Sequence, residues 1–126
     1  MKLDKDYILR MVNDLVKSIA HIILGKSEIE YALPDKNEYD KVDYLYVRLL
    51  EMSNNGHINE AENLLFDEIN TSDMRQFEMA MSFYLHLNDF GDDFLEKNDF
   101  SREEISEGIK GICKEFNLST MVEFLF

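Results

Sequence analysis

The three histidines have the widest chemical use in this chain of 126 residues, because imidazole binds metals and transfers protons near neutral pH. His57 lies three positions before Glu60, and His86 lies three before Asp89, so each pair would share one face of a helix. Two ligands do not make a structural zinc site, which takes four from the protein. A di-iron bundle needs glutamate three positions before histidine, where this chain has Ser18, Asn54 and Phe83. We predict no metal and no cofactor.

Cys113 is the single cysteine, so the chain forms no internal disulfide, which suits a reducing cytoplasm. Its neighbours Ile112 and Phe116 place it on the apolar side of a predicted helix, whereas a reactive thiol needs an accessible, electropositive setting. The 26 acidic residues form carboxylate pairs by chance, and no pocket signal marks one of them as an acid or a base. We therefore predict no catalytic residue and do not expect an enzyme.

Two arginines offer a different chemistry, because a guanidinium group binds a carboxylate through two parallel hydrogen bonds. Arg48 and Arg75, together with Tyr44 and His86, fall on the polar stripes of the second and fourth predicted helices. Stacked helices bind partners on an extended concave face. We predict that these four residues form a face that binds an unidentified acidic protein or peptide. The alternative is that they are ordinary solvated side chains.

The helices that position these residues are predicted most clearly over residues 41–70. Leu45, Leu49 and Met52 recur at spacings of four and three, which is typical of a helix with one buried face. Gly56 then ends that helix, because glycine accepts the left-handed conformation of a helix C-terminus. A second helix follows, and its Ala61 is small enough to let the two helix axes approach closely.

Gly56 and Ala61 have the spacing of a tetratricopeptide-type repeat, which this hairpin resembles. In that repeat a glycine ends the first helix and an alanine packs the second against it. Arg48, Leu49 and Glu68 depart from the pattern. The phrase GHINEAENLLFDEI, and the layout of the whole chain, also resemble a small all-helical family of unknown function from low-GC Gram-positive bacteria. This resemblance implies an all-helical fold and no activity.

The pattern in the rest of the chain predicts one all-α domain over residues 1–126, with about six helices stacked as antiparallel hairpins in a short, degenerate solenoid. Ser72, or alternatively Asp73, should cap the fourth helix, and Ser101 with Glu104 forms a capping box. Asp4 is the expected cap of helix one. The predicted segments are helix one over 4–24, a polar linker over 25–40 with a turn of helix at 27–33, a second hairpin over 72–117 containing a short helix at 92–97, and an apolar tail over 118–126.

Helix one has an apolar face that covers about half of its circumference, which is more than one neighbouring helix requires. Three explanations remain open: the face is central in the monomer core, it binds a second copy of the protein, or it lies on a membrane surface. The polar face carries as many acids as bases, which fits anionic lipid poorly. The candidate self-association residues, for an oligomeric structural or adaptor protein or a homodimer, are Ile8, Val12, Leu15, Ile19 and Ile22.

The net charge of −13 is unevenly distributed. Residues 1–24 hold four basic and three acidic groups and the remainder holds nine and 23, so the two parts carry +1 and −14. An acidic body repels nucleic-acid phosphates, so no nucleic-acid partner is expected. Charged residues interrupt the apolar run of helix one, which leaves neither a signal-peptide core nor a membrane span. We expect a cytoplasmic protein that binds no membrane.

Overall fold

The regular structure is helical throughout the part of the chain that the computed structural model describes, residues 2–126, with side chains from residue 6 onward. This confirms the prediction of an all-α fold. A π-helical turn over Ala20–Leu24 continues the first helix, and 3-10 turns lie at Lys36–Glu38 and Glu123–Leu125. The α-helices are α1 Lys2–Ile19, α2 Lys41–Asn54, α3 Ile58–Glu68, α4 Met74–Asn88, α5 Asp92–Lys97, α6 Arg102–Glu115 and α7 Ser119–Val122.

Side chains cap the starts of α2, α4 and α6 and satisfy backbone N–H groups that have no partner within the helix. The predicted capping box of Ser101 and Glu104 is confirmed at the start of α6. A second box, of Asp40 and Asp43, starts α2 and was not predicted. At α4 the cap is Asp73, whose side chain accepts a hydrogen bond from a backbone N–H of the first turn, so the first choice of Ser72 was wrong.

The segment between α1 and α2 differs from the prediction. The described helix already includes Lys2, so Asp4 lies inside it and is not its cap. No helix forms at 27–33. Ile29 and Tyr31 are buried there, whereas Glu28, which precedes Ile29, and Glu30, which lies between the two, are exposed. Burial of alternate residues is the mark of an extended chain. This segment therefore lies along the helices as a strap, held by its apolar side chains.

The helices pack in antiparallel pairs, α2 with α3 and α4 with α6, and α1 packs against both α4 and α6. Helix α4 is the central element, as predicted, although its main neighbour in the first hairpin is α2. Its contact with α3 includes a hydrogen bond of 2.6 Å from the Tyr84 hydroxyl to Glu62 Oε2. Gly108 of α6 lies against the Tyr84 ring, where a larger residue would collide with it.

The apolar face of α1 lies largely inside the protein. Val12, Leu15 and Ile19 are buried against the same chain, and Ile8 and Ile22 are partly buried. Of the three explanations for this wide face, the structure therefore shows the monomer core. Val12, Leu15 and Ile19 are not available to a second copy while the protein is folded.

The apolar tail after α6 also packs on its own chain. Val122 is buried, and Leu118 and Leu125 are partly buried against the core. Phe124 remains 73% exposed, so the tail is only half covered.

None of the described helices has the length and apolar character needed to cross a membrane.

Candidate partner-binding cleft

A cleft of about 590 Å³ separates the exposed edge of α2 from the C-terminal half of α3. Its floor is apolar and is formed by Val42, Leu45 and Leu64, which are partly buried. Its rim is polar and exposed, with Lys41, Tyr44 and Arg48 from α2 and Glu68 from α3. The combination of an apolar floor and a few charged groups at the rim is typical of a ligand or peptide site.

The two basic residues of the cleft are without ion-pair partners in the part of the chain whose side chains are described. Neither the Lys41 ammonium nor the Arg48 guanidinium lies within ion-pair distance of a described carboxylate. Both lie on one face of α2, seven residues or two turns apart. A free arginine and a free lysine thus lie together at the rim of one cleft in a chain of net charge −13.

The end of the cleft is built by the loop between α3 and α4. Gln76, in the first turn of α4, is buried beside this loop, and its Oε1 accepts a hydrogen bond of 2.8 Å from the backbone N–H of Asn70. Its Nε2 donates to Asp73 Oδ2 over 3.5 Å. These bonds fix the Gln76 side chain, so this end of the cleft is formed before any partner binds.

Arg75 lies outside the cleft, in an ion cluster that holds the strap at 25–40 against α2 and α4. Its Nη1 donates to Asp40 Oδ2 over 2.6 Å, and its Nη2 donates to Asp43 Oδ1 over 2.7 Å. Nη2 also donates over 2.7 Å to the hydroxyl of Tyr31, which in turn donates over 2.6 Å to Asp43. Arg75, predicted on a partner face, is thus paired with two carboxylates of its own chain.

The charges of this cluster stabilise one another. Hydrogen bonding to Arg75 lowers the pKa of Asp40 well below its ordinary value, and the same contact raises the pKa of Arg75. Burial, and then the hydrogen bond to Asp43, raises the pKa of Tyr31 far above its ordinary range. Each group therefore keeps the protonation state that the cluster needs at neutral pH.

His86, the fourth predicted member of the face, has intramolecular contacts as well. Its Nε2 lies 2.8 Å from Asn54 Oδ1, and its ring packs edge-on against Phe90 at 5.1 Å between centroids. Burial lowers the pKa of the imidazole, so it is neutral at physiological pH. A neutral, half-buried histidine offers little to an acidic partner.

The structure therefore brings two of the four predicted residues together, Tyr44 and Arg48, and places Arg75 and His86 elsewhere. Lys41 was missed, although its spacing of seven from Arg48 indicates a shared helical face. The contributions of Leu64 and Gln76 gave no signal in the sequence, because they depend on how α3 and α4 pack beside α2. The missed residues of the cleft are Lys41, Val42, Leu45, Leu64, Glu68, Asn70 and Gln76.

The groups tested for catalysis and metal binding lie apart from the cleft. His57 and Glu60 form an exposed contact of 3.1 Å at the start of α3. Burial raises the pKa of the Cys113 thiol to about 11, which leaves it protonated and unreactive at neutral pH. Among residues with described side chains, no three histidine, cysteine, aspartate or glutamate residues converge on a point where they would bind a metal ion.

The comparisons with known proteins give a family and no activity. Neither the curated proteins nor the solved structures include a match to this chain. A family of unknown function, DUF6483, matches residues 2–117, which span α1 to the end of α6. The predicted resemblance to a family of unknown function is confirmed in this form, and the chain belongs to the family DUF6483.

Proposed function

We propose that this protein is a non-enzymatic interaction module whose cleft between α2 and α3 binds a short segment of a partner protein. The observation that carries the proposal is the pair of unpaired cations, Lys41 and Arg48, at the rim of an apolar floor. Both cations are available to a partner, whereas Arg75 and Arg102 are paired with carboxylates of the chain.

The chemistry of the cleft defines the segment that fits it. The floor of Val42, Leu45 and Leu64 accepts an apolar side chain and gains from its removal from water. Arg48 is able to donate two parallel hydrogen bonds to a carboxylate of the partner. The exposed ring of Tyr44 adds rigid contact area at a small entropic cost. The partner segment therefore carries a large apolar residue next to an aspartate or glutamate.

The arrangement of the first hairpin supports a tetratricopeptide-like role. The turn at Gly56 adopts φ +89°, which favours glycine, and Ala61 is fully buried between the paired helices. Proteins built from such hairpins bind extended segments on surfaces formed by successive helices. The buried, single cysteine fits the cytoplasm as the location of this interaction.

A random-peptide phage library selected on the immobilised full-length protein tests the proposal. We expect the enriched peptides to place aspartate or glutamate beside leucine, methionine or phenylalanine. A synthetic peptide of the enriched sequence, followed by fluorescence anisotropy, should bind Arg48→Glu at least about tenfold more weakly, because a charged hydrogen bond becomes a repulsion.

Lys36→Glu is the matched control, because Lys36 is exposed on the strap and lies outside the cleft. It changes the net charge as Arg48→Glu does, and it should leave peptide binding unchanged. Enriched peptides without acidic residues, or equal weakening by both variants, would refute the assignment of the cleft. Circular dichroism of each variant confirms that the helices are intact.

A further inference from the structure

The outward side of α1 is a second surface with unused binding capacity, and it lies apart from the cleft of the proposed function. Tyr7 is 62% exposed and Met11 is 40% exposed, although Val12 beside them is fully buried. The exposed positions Asp6, Tyr7, Arg10, Met11, Asp14 and Lys17 form one continuous stripe at helical spacing.

The charges of this stripe alternate along the helix in the order acid, base, acid, base. They are Asp6, Arg10, Asp14 and Lys17, and none of them is paired with another side chain that the structure describes. Reversing the direction of the helix exchanges each acid for a base. The stripe is therefore complementary to an antiparallel copy of itself, whereas a parallel copy would place like charges together.

One two-fold axis satisfies both kinds of pair. The midpoint between Asp6 and Lys17 and the midpoint between Arg10 and Asp14 both fall at residues 11–12, within one helical step of each other. An axis at that level places Asp6 opposite Lys17 of a second copy and Arg10 opposite its Asp14. A two-fold interface has this property by definition, since the same patch is used on both copies.

Apolar groups lie at the same level and beside the charges. Met11 lines a groove of about 360 Å³ between α1, α6 and the tail, together with Phe126, which is 42% exposed. Lys110 lies over the Phe126 ring at 5.8 Å from its centroid and covers one face of it. A two-fold axis near Met11 brings both Met11 side chains together and encloses this groove.

The charge on this part of the chain permits self-association that the remainder would oppose. Residues 1–24 carry +1, and the remainder carries −14. Two copies that meet along α1 keep their acidic bodies on the outer sides of the pair. We propose that the outward stripe of α1 forms an antiparallel, two-fold contact with a second copy of this chain.

Analytical ultracentrifugation of the full chain over a range of concentrations tests this contact. We expect the wild type to form a dimer whose fraction rises with concentration. Arg10→Asp and Asp14→Arg should each weaken it roughly tenfold or more, because each replaces two attractive pairs with two repulsive ones. In the double variant every facing pair is again opposite in charge, the aspartate at position 10 opposite the arginine at position 14 and Asp6 opposite Lys17, so it should regain the dimer.

Mixing the two single variants tests whether positions 10 and 14 face each other's charges across the contact. Arg10→Asp carries an aspartate at both positions 10 and 14, whereas Asp14→Arg carries an arginine at both. Position 10 of one copy faces position 14 of the other, so every facing pair in the mixture is opposite in charge. The mixture should therefore form a heterodimer, although neither variant dimerises alone.

Lys36→Asp is the control for this experiment, because it changes an exposed cation elsewhere and should leave the dimer unchanged. A wild type that is monomeric at every concentration overturns the proposal. A dimer that persists in both single variants overturns it as well, since the contact would then not depend on the charges of the stripe.

Discussion

Arg102 and Arg48 are chemically identical side chains in opposite settings, one within the joint between α4 and α6 and one on the cleft. Arg102 is 6% exposed, and all three of its guanidinium nitrogens are used. Its Nη1 donates to the backbone and side-chain oxygens of Asn88, its Nη2 donates to the carbonyl of Phe90, and its Nε donates to Asp92 over 2.9 Å. Arg48 is exposed and has none of these partners.

The difference teaches which side chains are able to take part in recognition. A buried guanidinium whose three nitrogens all have partners closes the loop between α4 and α6, and its burial keeps it from a partner protein. Asn88 extends the same closed network to α1, where its Nδ2 donates to the Leu9 carbonyl over 3.0 Å. An exposed guanidinium beside an apolar floor has all five donors free. The joint therefore serves stability, and the cleft is the region suited to binding.

The same substitution at the two arginines gives the largest contrast. Arg102→Met should lower the free energy of unfolding by about 3 kcal/mol or more, because it leaves buried oxygens of Asn88 and Phe90 without donors. Arg48→Met should change it by no more than about 0.5 kcal/mol, since Arg48 is exposed. Urea unfolding followed by circular dichroism measures both. Equal changes in the free energy of unfolding of the two variants would contradict the distinction between a structural Arg102 and a free Arg48.

Two glycines on α6 test how tightly the joint is packed. Gly108→Ala should cost about 1–3 kcal/mol, because the added methyl group collides with the Tyr84 ring. Gly111→Ala places its methyl group 3.3 Å from Phe66 Cζ, and that partly buried ring is able to shift. There the higher helix propensity of alanine should leave stability unchanged or raise it by up to about 1 kcal/mol. Thermal or urea unfolding decides the sign, and a loss at Gly111 as large as at Gly108 would contradict this account.

Substitution of Glu62, which lies beside the joint, should have the smallest effect on stability, and that effect should depend on pH. Burial raises the pKa of Glu62, although the hydrogen bond from Tyr84 opposes this. A raised folded-state pKa contributes stability that is present below the unfolded pKa, about 4.3, and is lost as pH rises through the folded value. The free energy of unfolding of Glu62→Gln should thus equal that of the wild type near pH 4 and exceed it at pH 7.

Urea unfolding at the two pH values measures this difference. Glu107→Gln, an exposed carboxylate on α6, is the control and should show no such trend. If Glu62→Gln were less stable than the wild type at pH 7, the charge of Glu62 would be stabilising and our assignment of its burial would be wrong.

Local pattern in the sequence predicted most of the helices. Three features depend only on neighbouring residues and are therefore predictable from the sequence: the periodicity of α2, the turn at Gly56 and the capping box of Ser101. The segment at 25–40 was predicted as a polar linker, and its packing as a strap was missed because Ile29 and Tyr31 become buried only where other helices meet them. The role of Arg75 was missed for the same reason, since Asp40 and Asp43 are more than 30 positions away in the chain.

By itself the sequence determined the helical class, the main hairpins and the acidic charge, because each follows from residue types and spacings within a few turns. Tertiary packing alone decided which polar groups remain free. It paired Arg75 and Arg102 with distant carboxylates and left Lys41 and Arg48 unpaired beside the apolar floor. The physical reason is that a hydrogen bond or ion pair requires two groups within about 4 Å, and only the folded chain sets distances between residues far apart in sequence.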